Sequence, residues 1–203
     1  MVYAAAASHP LQHATGRLLG DGINYASGTG TLGIKITGAA PTAQSDYISY
    51  SWSYSNLTDM TIGAWYYTDL PETSGSDNDC LSIHGFNNQF AAINCYGADG
   101  IGRYIRLETP AGNGPIIKIS SRTWYWIQVH WHFDGTYFTH SVAVRDTTGN
   151  LIGTSTYGPY EAPADYPGYS NIGKRNRSSM ANGKIQYLDS IKLSLVGEDR
   201  ISQ

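Results

Sequence analysis

The sequence predicts an all-β protein built from two packed antiparallel sheets. Its composition is the first observation, because the 203 residues include 16 tyrosines and 23 glycines but only 4 glutamates and 5 lysines. Glutamate and lysine usually cover the exposed faces of helices, so their scarcity argues against a mainly helical protein. The second observation is a series of short alternating segments separated by glycine, proline, asparagine and aspartate, the pattern of strands joined by turns.

The clearest predicted strand covers residues 47–54. Large apolar side chains occupy every second position there, at Ile48, Tyr50, Trp52 and Tyr54, and serines lie between them. A period of two is typical of a strand that buries one face. The same criterion predicts eleven strands in all: 32–37, 47–54, 60–67, 80–84, 89–96, 103–108, 116–119, 124–133, 137–146, 151–156 and 184–195.

Turn residues separate these strands at several points. Asp134-Gly135, Thr148-Gly149-Asn150 and Asn182-Gly183 are typical of hairpin connections and loops. No convincing helical stretch and no repeat of fixed period is visible in the sequence. Connections of uneven length favour two stacked sheets over a regular array.

Charge and length exclude several classes of function. A net charge of -3 gives no electrostatic basis for binding nucleic acid. No apolar segment reaches the roughly 18 residues that a spanning helix needs, so membrane insertion is not expected.

The domain organisation follows from the length and the periodicity. The length suits one large domain, predicted at 17–203. Residues 1–16 show no periodicity and are predicted to form an N-terminal arm that precedes the domain and could mediate homo-oligomer contacts.

Five segments carry a common order of signals between about residues 30 and 195: in chain order they are 30–36, 57–66, 122–129, 171–173 and 183–193. In this order and spacing they resemble the concanavalin A-like jelly rolls, in particular the laminin-G-like lectin and glucanase superfamily. The resemblance implies an antiparallel two-sheet jelly-roll sandwich. It implies a fold more than an activity, because such folds carry many unrelated functions.

The glucanase activity of this superfamily is not expected here. A retaining enzyme requires two carboxyl groups about 5 Å apart, and the resemblance implies a Glu-x-Asp-x-x-Glu strand to supply them. The sequence has four glutamates, Glu72, Glu108, Glu161 and Glu198, and none lies within five residues of another. The chain is therefore predicted to have no catalytic residues. A polysaccharide-cleaving enzyme that uses histidine and tyrosine is the remaining enzymatic alternative.

The strand at 124–133 carries a candidate binding site. Its alternation places Ile127, Val129, Trp131 and Phe133 in the core. The opposite parity forms an outward row that could bind sugar, because aromatic faces suit pyranose rings and polar groups suit hydroxyls. The predicted carbohydrate-binding residues are Trp124, Trp126, Gln128, His130 and His132. A zinc site at His130-x-His132 and a plain polar sheet face are the two alternatives.

Asp189 is predicted to lie on an otherwise apolar face of the last strand, with the parity of Tyr187 and Leu193. A carboxylate there needs a cation, backbone donors or a local bulge. The resemblance implies a structural calcium between Asp189 and oxygens near the N-terminus, for which Asp21 is the candidate. A hydrogen-bonded aspartate at a strand bulge is the alternative.

The two cysteines flank a predicted turn. If the strands fold so that Cys80 lies directly opposite Cys95, their β-carbons are close enough for a disulfide. Two unpaired buried thiols are the alternative.

These observations predict a non-catalytic lectin-like module for glycan attachment or adhesion, extracellular or on a virion surface. The alternative is a structural protein of an extracellular assembly, such as a capsid decoration, tail or fibre subunit. Its partners would then include other copies of that assembly, and the two roles are compatible because a decoration protein can also bind glycans.

Overall fold

The computed structural model describes most of the chain as strands. The described residues are 3–6, 12–15, 32–37, 46–51, 58–71, 79–85, 89–98, 100–161, 167–174 and 185–194. Side-chain positions are described for 58–71, 93, 95, 100–161 and 186–189. The strands, in chain order, are β1 Tyr3–Ala6, β2 Gln12–Thr15, β3 Leu32–Thr37, β4 Asp46–Ser51, β5 Asp59–Thr68, β6 Asp79–Gly85, β7 Gln89–Ala98, β8 Gly102–Thr109, β9 Gly112–Ile119, β10 Tyr125–Phe133, β11 Tyr137–Arg145, β12 Leu151–Glu161, β13 Pro167–Lys174 and β14 Ile185–Ser194.

The strands form two seven-stranded antiparallel sheets. Sheet 1 has the order β1-β4-β13-β6-β7-β8-β9, and sheet 2 has the order β12-β11-β10-β5-β14-β3-β2. Strands that are distant in sequence are neighbours in both sheets, as in a jelly roll. The predicted fold class is therefore confirmed. The described residues contain no helix that is long and apolar enough to cross a membrane.

All eleven predicted strands are present, and β13 contains the segment 171–173 that the resemblance identified. The two strands that neither the alternation nor the resemblance predicted are β1 and β2, within the predicted arm. Each forms an edge, since β1 pairs with β4 in sheet 1 and β2 pairs with β3 in sheet 2. Strands of four residues are too short to show a period. The division into an arm of 1–16 and a domain of 17–203 stays a prediction.

The core lies between the sheets, and β10 shows how the sequence builds it. Ile127, Val129 and Trp131 are fully buried in the core cluster, and Phe133 packs against it at the strand end. The predicted core face of this strand is confirmed. Complete burial of an aliphatic side chain contributes about 1.5–3 kcal/mol relative to exposure, so this row is a major source of stability.

The opposite face of sheet 2 is also buried near its middle. Trp126 has no exposed surface, its indole Nε1 donates to Gln128 Oε1 at 3.3 Å, and its ring packs edge-on against Trp65. The indole lies over Gly63 in the neighbouring strand, where a β-carbon would approach Trp126 Cζ2 to 2.4 Å. Glycine at this position is therefore a requirement of packing.

Gly63→Ala should lower the free energy of unfolding by about 1–3 kcal/mol, because the rigid buried indole has to move. The change is measurable as a lower urea midpoint. In a Trp126→Phe background the same substitution should cost less, since the ring is smaller. An equal cost in both backgrounds would contradict the proposed contact.

A buried histidine lies at the edge of the core. His140, on the core face of β11, has no exposed surface, and its Nε2 lies 2.7 Å from the Tyr160 hydroxyl. The two rings stack with centroids 5.5 Å apart. Burial, with a smaller contribution from His130, lowers the pKa of His140 from 6.5 to about 3. This imidazole is therefore neutral at any pH near neutrality.

Cys95 lies in the core on β7 and is disulfide-bonded, and Cys80 on β6 is the only other cysteine of the sequence. The register between β6 and β7 differs from the prediction, which places Cys80 directly opposite Cys95. The two strands pair Asp79 with Asn94 and Leu81 with Ile93, with an irregularity between these pairs at Cys80. The bridge therefore joins two neighbouring strands at a break in their ladder.

Candidate functional site

An open pocket of about 360 Å³ lies on the face of sheet 2 that points away from the core, at one end of β5, β10 and β11. We call it the histidine pocket. Among the residues that the structure describes, its lining consists of polar side chains: Asp59, His130, His132, Thr139 and Ser141. The pocket is open to solvent, as a binding site for a soluble ligand must be.

The strand register explains why these side chains meet. Asp59 of β5 is paired with His132 of β10, which is paired with Thr139 of β11. Two residues along β10, His130 is paired with Ser141. Directly paired residues on neighbouring strands point to the same face with β-carbons about 4.5–5.5 Å apart. Two adjacent rows across three strands therefore bring all five side chains to one place.

The carboxylate of Asp59 is held by both histidines. Its Oδ1 lies 3.2 Å from His130 Nε2 and 2.9 Å from His132 Nδ1. An ionised carboxylate can only accept hydrogen bonds, so both of these ring nitrogens carry the proton. When the ring of His132 is neutral, its other nitrogen, Nε2, is then an acceptor. The contact with Asp59 therefore fixes the tautomer of a neutral His132.

The three side chains are exposed to different degrees. His132 is 44% exposed, Asp59 21% and His130 15%. His132 is therefore the more accessible imidazole, and His130 lies deeper. Thr139 and Ser141 are half-buried beside them.

The zinc alternative for His130-x-His132 gains no support from this geometry. The two ring centroids are 6.4 Å apart, on either side of the Asp59 oxygen that they share. Ligation to one tetrahedral zinc would bring the centroids to about 5 Å, given Zn–N bonds of about 2.0–2.1 Å. Across the ranges described above, no group of three histidine, cysteine, aspartate or glutamate side chains could hold a metal ion.

The structure divides the predicted sugar-facing row. Trp124, Trp126 and Gln128 share the parity of His130 and His132 but are buried, with at most 4% of their surface exposed. Only the two histidines reach the pocket. The alternation placed all five side chains on one face of the strand. It could not show that the side chains near the middle of the sheet are buried on this face and that only those at the end of the strand are exposed.

Three described pocket residues were not predicted from the sequence: Asp59, Thr139 and Ser141. Asp59 immediately precedes the predicted strand 60–67, where an aspartate ordinarily indicates a turn. Its role depends on the register between β5 and β10, because only that register places it opposite His132. The sequence would have indicated Asp59 only if the predicted strand 60–67 had been extended by one residue to begin at Asp59.

Asp189 is buried and lies opposite Trp65. The pairing of β14 with β5 becomes irregular between Asp189 and Lys192, so the alternation that gave Asp189 the parity of Leu193 does not continue past this point. The alternative interpretation places a bulge in this strand, and a register shift after Asp189 is compatible with it. Asp21 lies outside the described residues, and both the structural calcium and the hydrogen-bonded aspartate at a bulge stay predictions.

Comparison with known proteins identifies the fold. No family model and no curated protein matches the sequence. Among solved structures, the chain is similar to "Cellulose induced protein, Cip1", with 13% identity, 92% of this chain and 86% of that chain covered, and a TM-score of 0.60. It is also similar to an alginate lyase from Klebsiella pneumoniae, with 11% identity, 83% and 82% covered, and a TM-score of 0.55.

Peanut lectin is a third similar structure, with 10% identity, 97% of this chain and 100% of that chain covered, and a TM-score of 0.51. Identities this low establish the fold alone, and this fold is shared by lectins and lyases. The chain has the concanavalin A-like jelly-roll fold.

Proposed function

We propose that this protein is a non-catalytic carbohydrate-binding module, and that it binds glycans in the histidine pocket. The observation that carries the proposal is the Asp59 carboxylate, held by two imidazoles in an open pocket whose other described lining residues carry hydroxyls. The fold supports it, because proteins of this fold include peanut lectin and alginate lyases.

The chemistry of the pocket suits a sugar. Vicinal hydroxyls of a pyranose can each donate one hydrogen bond and accept others, and the lining offers a carboxylate, two imidazoles and two hydroxyls in return. The hydrogen bonds from His130 and His132 fix the Asp59 side chain before a ligand arrives. Little side-chain entropy is then lost on binding, which raises affinity.

The affinity of one pocket should be modest. No aromatic side chain is among the described lining residues, so the sugar gains hydrogen bonds without a stacking platform. A few hydrogen bonds of about 1–1.5 kcal/mol each correspond to a Kd of about 1 mM. Attachment to a glycan-covered surface would then depend on several copies acting together. Such multivalency fits the predicted homo-oligomer or surface assembly.

The non-catalytic role rests on the number of carboxylates. A glycosidase of the usual kind needs two carboxyl groups on either side of the scissile bond. Asp59 is the only carboxylate in the described lining of the pocket. An extracellular or virion-surface location and the alternative role as a structural protein of an assembly stay predictions.

Substitution of the pocket residues should abolish binding. In Asp59→Ala and His132→Ala, affinity for a glycan that the native protein binds should fall at least 10-fold, because each removes a hydrogen bond that the sugar needs. Affinity electrophoresis on a panel of soluble polysaccharides would measure this. Lys118→Ala is the matched control, since Lys118 is exposed on sheet 1, away from the pocket.

Native-like retardation of both pocket variants would mean that the glycan binds elsewhere. Failure of the native protein to bind any polysaccharide in the panel would contradict the proposed function itself.

A further inference from the structure

The face of sheet 2 that carries the histidine pocket also carries an exposed aromatic ring. Tyr137, the first residue of β11, is 42% exposed. It is the only exposed aromatic side chain in the ranges whose side chains the structure describes, because the other rings there are buried or half-buried. Within the same ranges, its ring packs against no other ring and its hydroxyl makes no hydrogen bond. The ring is therefore available to a ligand.

Strand geometry places this ring beside the pocket. Side chains two residues apart along a strand point to the same face and lie about 7 Å apart. Tyr137 precedes the lining residue Thr139 by two positions, and exposure alternates without a break from Tyr137 to Arg145. Tyr137 thus extends the pocket along β11, toward the turn that joins β10 and β11.

The turn between β10 and β11 holds the backbone of Tyr137. The N–H group of Asp134 donates to the Tyr137 carbonyl oxygen at 3.2 Å. In return, Asp134 Oδ1 accepts from the backbone N–H groups of Thr136 and Tyr137, both at 2.8 Å. With its backbone fixed, a tyrosine has only two side-chain torsions left to order, so a contact with its ring costs little entropy.

An exposed carboxylate lies next to the ring. Glu161, the last residue of β12, is paired with Tyr137 and therefore points to the same face. Its carboxylate can accept hydrogen bonds from the hydroxyls of a sugar whose C–H groups contact the tyrosine ring. Glu161 and Asp59 lie three strands apart, about 14 Å at the usual strand spacing. They are therefore too far apart to act as the carboxylate pair of a glycosidase.

We infer that Tyr137 is the stacking platform of a second sugar subsite, and that the ligand is an oligosaccharide with consecutive rings in the histidine pocket and on Tyr137. This rests on the proposed function and names the ligand class of the same site. Asp59 and Tyr137 are two strands apart, and Tyr137 lies two residues further along, which together give about 12 Å. One pyranose ring does not span that distance, whereas two linked rings do.

Chain length should therefore control affinity. A monosaccharide in the histidine pocket does not reach Tyr137, whereas a disaccharide or longer chain also contacts the ring. The native protein should bind the longer sugar about 5- to 10-fold more tightly. Tyr137→Ala should remove this gain and change monosaccharide affinity by less than about 2-fold, because Tyr137 does not line the pocket. Tyr137→Phe should keep most of the gain, since the ring makes the contact and the hydroxyl does not.

The experiment measures Kd by NMR titration of the full chain with sugars of increasing length. The probes are glucose, cellobiose and cellotetraose; mannose, mannobiose and mannotetraose; and galactose, galactobiose and galactotetraose. Native protein is compared with Tyr137→Ala, Tyr137→Phe and Asp59→Ala. Ile116→Ala is the matched control, since Ile116 is also 42% exposed but lies on sheet 1. A gain with length in at least one series, lost in Tyr137→Ala and kept in Tyr137→Phe and the control, supports the inference.

Equal affinity for short and long sugars, or a gain that Tyr137→Ala leaves intact, would overturn the second subsite while leaving glycan binding in the histidine pocket intact. Loss of the gain in Tyr137→Phe would overturn stacking as its cause. Binding that is unchanged in Asp59→Ala would overturn the assignment of the pocket, and no binding in any series would overturn the proposed function. Because native protein alone shows whether affinity rises with chain length, a variant that fails to fold does not remove the test.

Discussion

Replacing His140 by phenylalanine should reduce the protein's loss of stability between pH 6.5 and pH 4. The folded-state pKa of His140 is lowered to about 3 because the ring is completely buried. In the unfolded chain a histidine binds a proton below about pH 6.5. Between pH 6.5 and about pH 3 the unfolded state therefore binds a proton at this histidine and the folded state does not. The free energy of unfolding falls as the pH is lowered through this range.

The size of the effect follows from the width of the window. One pKa unit corresponds to about 1.4 kcal/mol, so a shift to about pH 3 implies a loss on the order of 4 kcal/mol once the pH has reached the folded-state value. Phenylalanine keeps the ring that stacks on Tyr160 but cannot be protonated. It gives up the 2.7 Å contact to the Tyr160 hydroxyl, at a cost of about 1 kcal/mol that does not depend on pH.

Urea unfolding of native protein and His140→Phe at several pH values from 7.5 to 4.5 would show how the free energy of unfolding of each protein changes with pH. Asp146 does not interfere in this range. Hydrogen bonds led by that from the Thr148 side chain lower the pKa of Asp146 to about 2, so its contribution is lost only below about pH 4. His132→Ala, a substitution of a partly exposed histidine, is the control. Parallel curves for native protein and His140→Phe would contradict the account of this buried ring.

Removing the disulfide should destabilise the protein by about 3 kcal/mol. The bridge closes a short loop between β6 and β7, and a loop of this length loses about that much entropy in the unfolded chain when it is cross-linked. The effect should be larger in the double variant Cys80→Ala/Cys95→Ala, because Cys95 is completely buried and alanine leaves part of its volume empty. The melting temperature should fall by about 6–12 °C.

Thermal melts with and without a reductant provide the control within one experiment. Reductant should lower the melting temperature of the native protein and leave that of the double variant unchanged. If reductant shifts neither protein, or shifts both equally, then the bridge does not stabilise the fold.

The fold was largely predictable because alternation is a local property. Residues 124–133 showed in sequence which side chains enter the core, and the structure agrees at Ile127, Val129 and Trp131. Register is not local. The offset at Cys80 and the irregularity after Asp189 are properties of the pairing register between two neighbouring strands. The residue pattern within one strand does not determine that register.

The candidate site was predictable only in part, for the same reason. His130 and His132 were selected because both imidazoles fall on one face of one strand. Asp59, which organises them, lies on another strand and enters the pocket through pairing alone. Trp126 was expected on a binding surface because its parity is that of the histidines. Its burial over Gly63 results from packing that involves several strands.

The central proposal is that a glycan binds in the histidine pocket, at Asp59, His130 and His132. Titration of histidine-labelled protein with an oligosaccharide of a glycan that it binds, followed through the imidazole resonances in NMR, tests it most directly. The account predicts saturable shifts of the His130 and His132 resonances and none for the buried His140, and it predicts that Asp59→Ala abolishes these shifts. Saturable binding that leaves both pocket histidines unperturbed would contradict it.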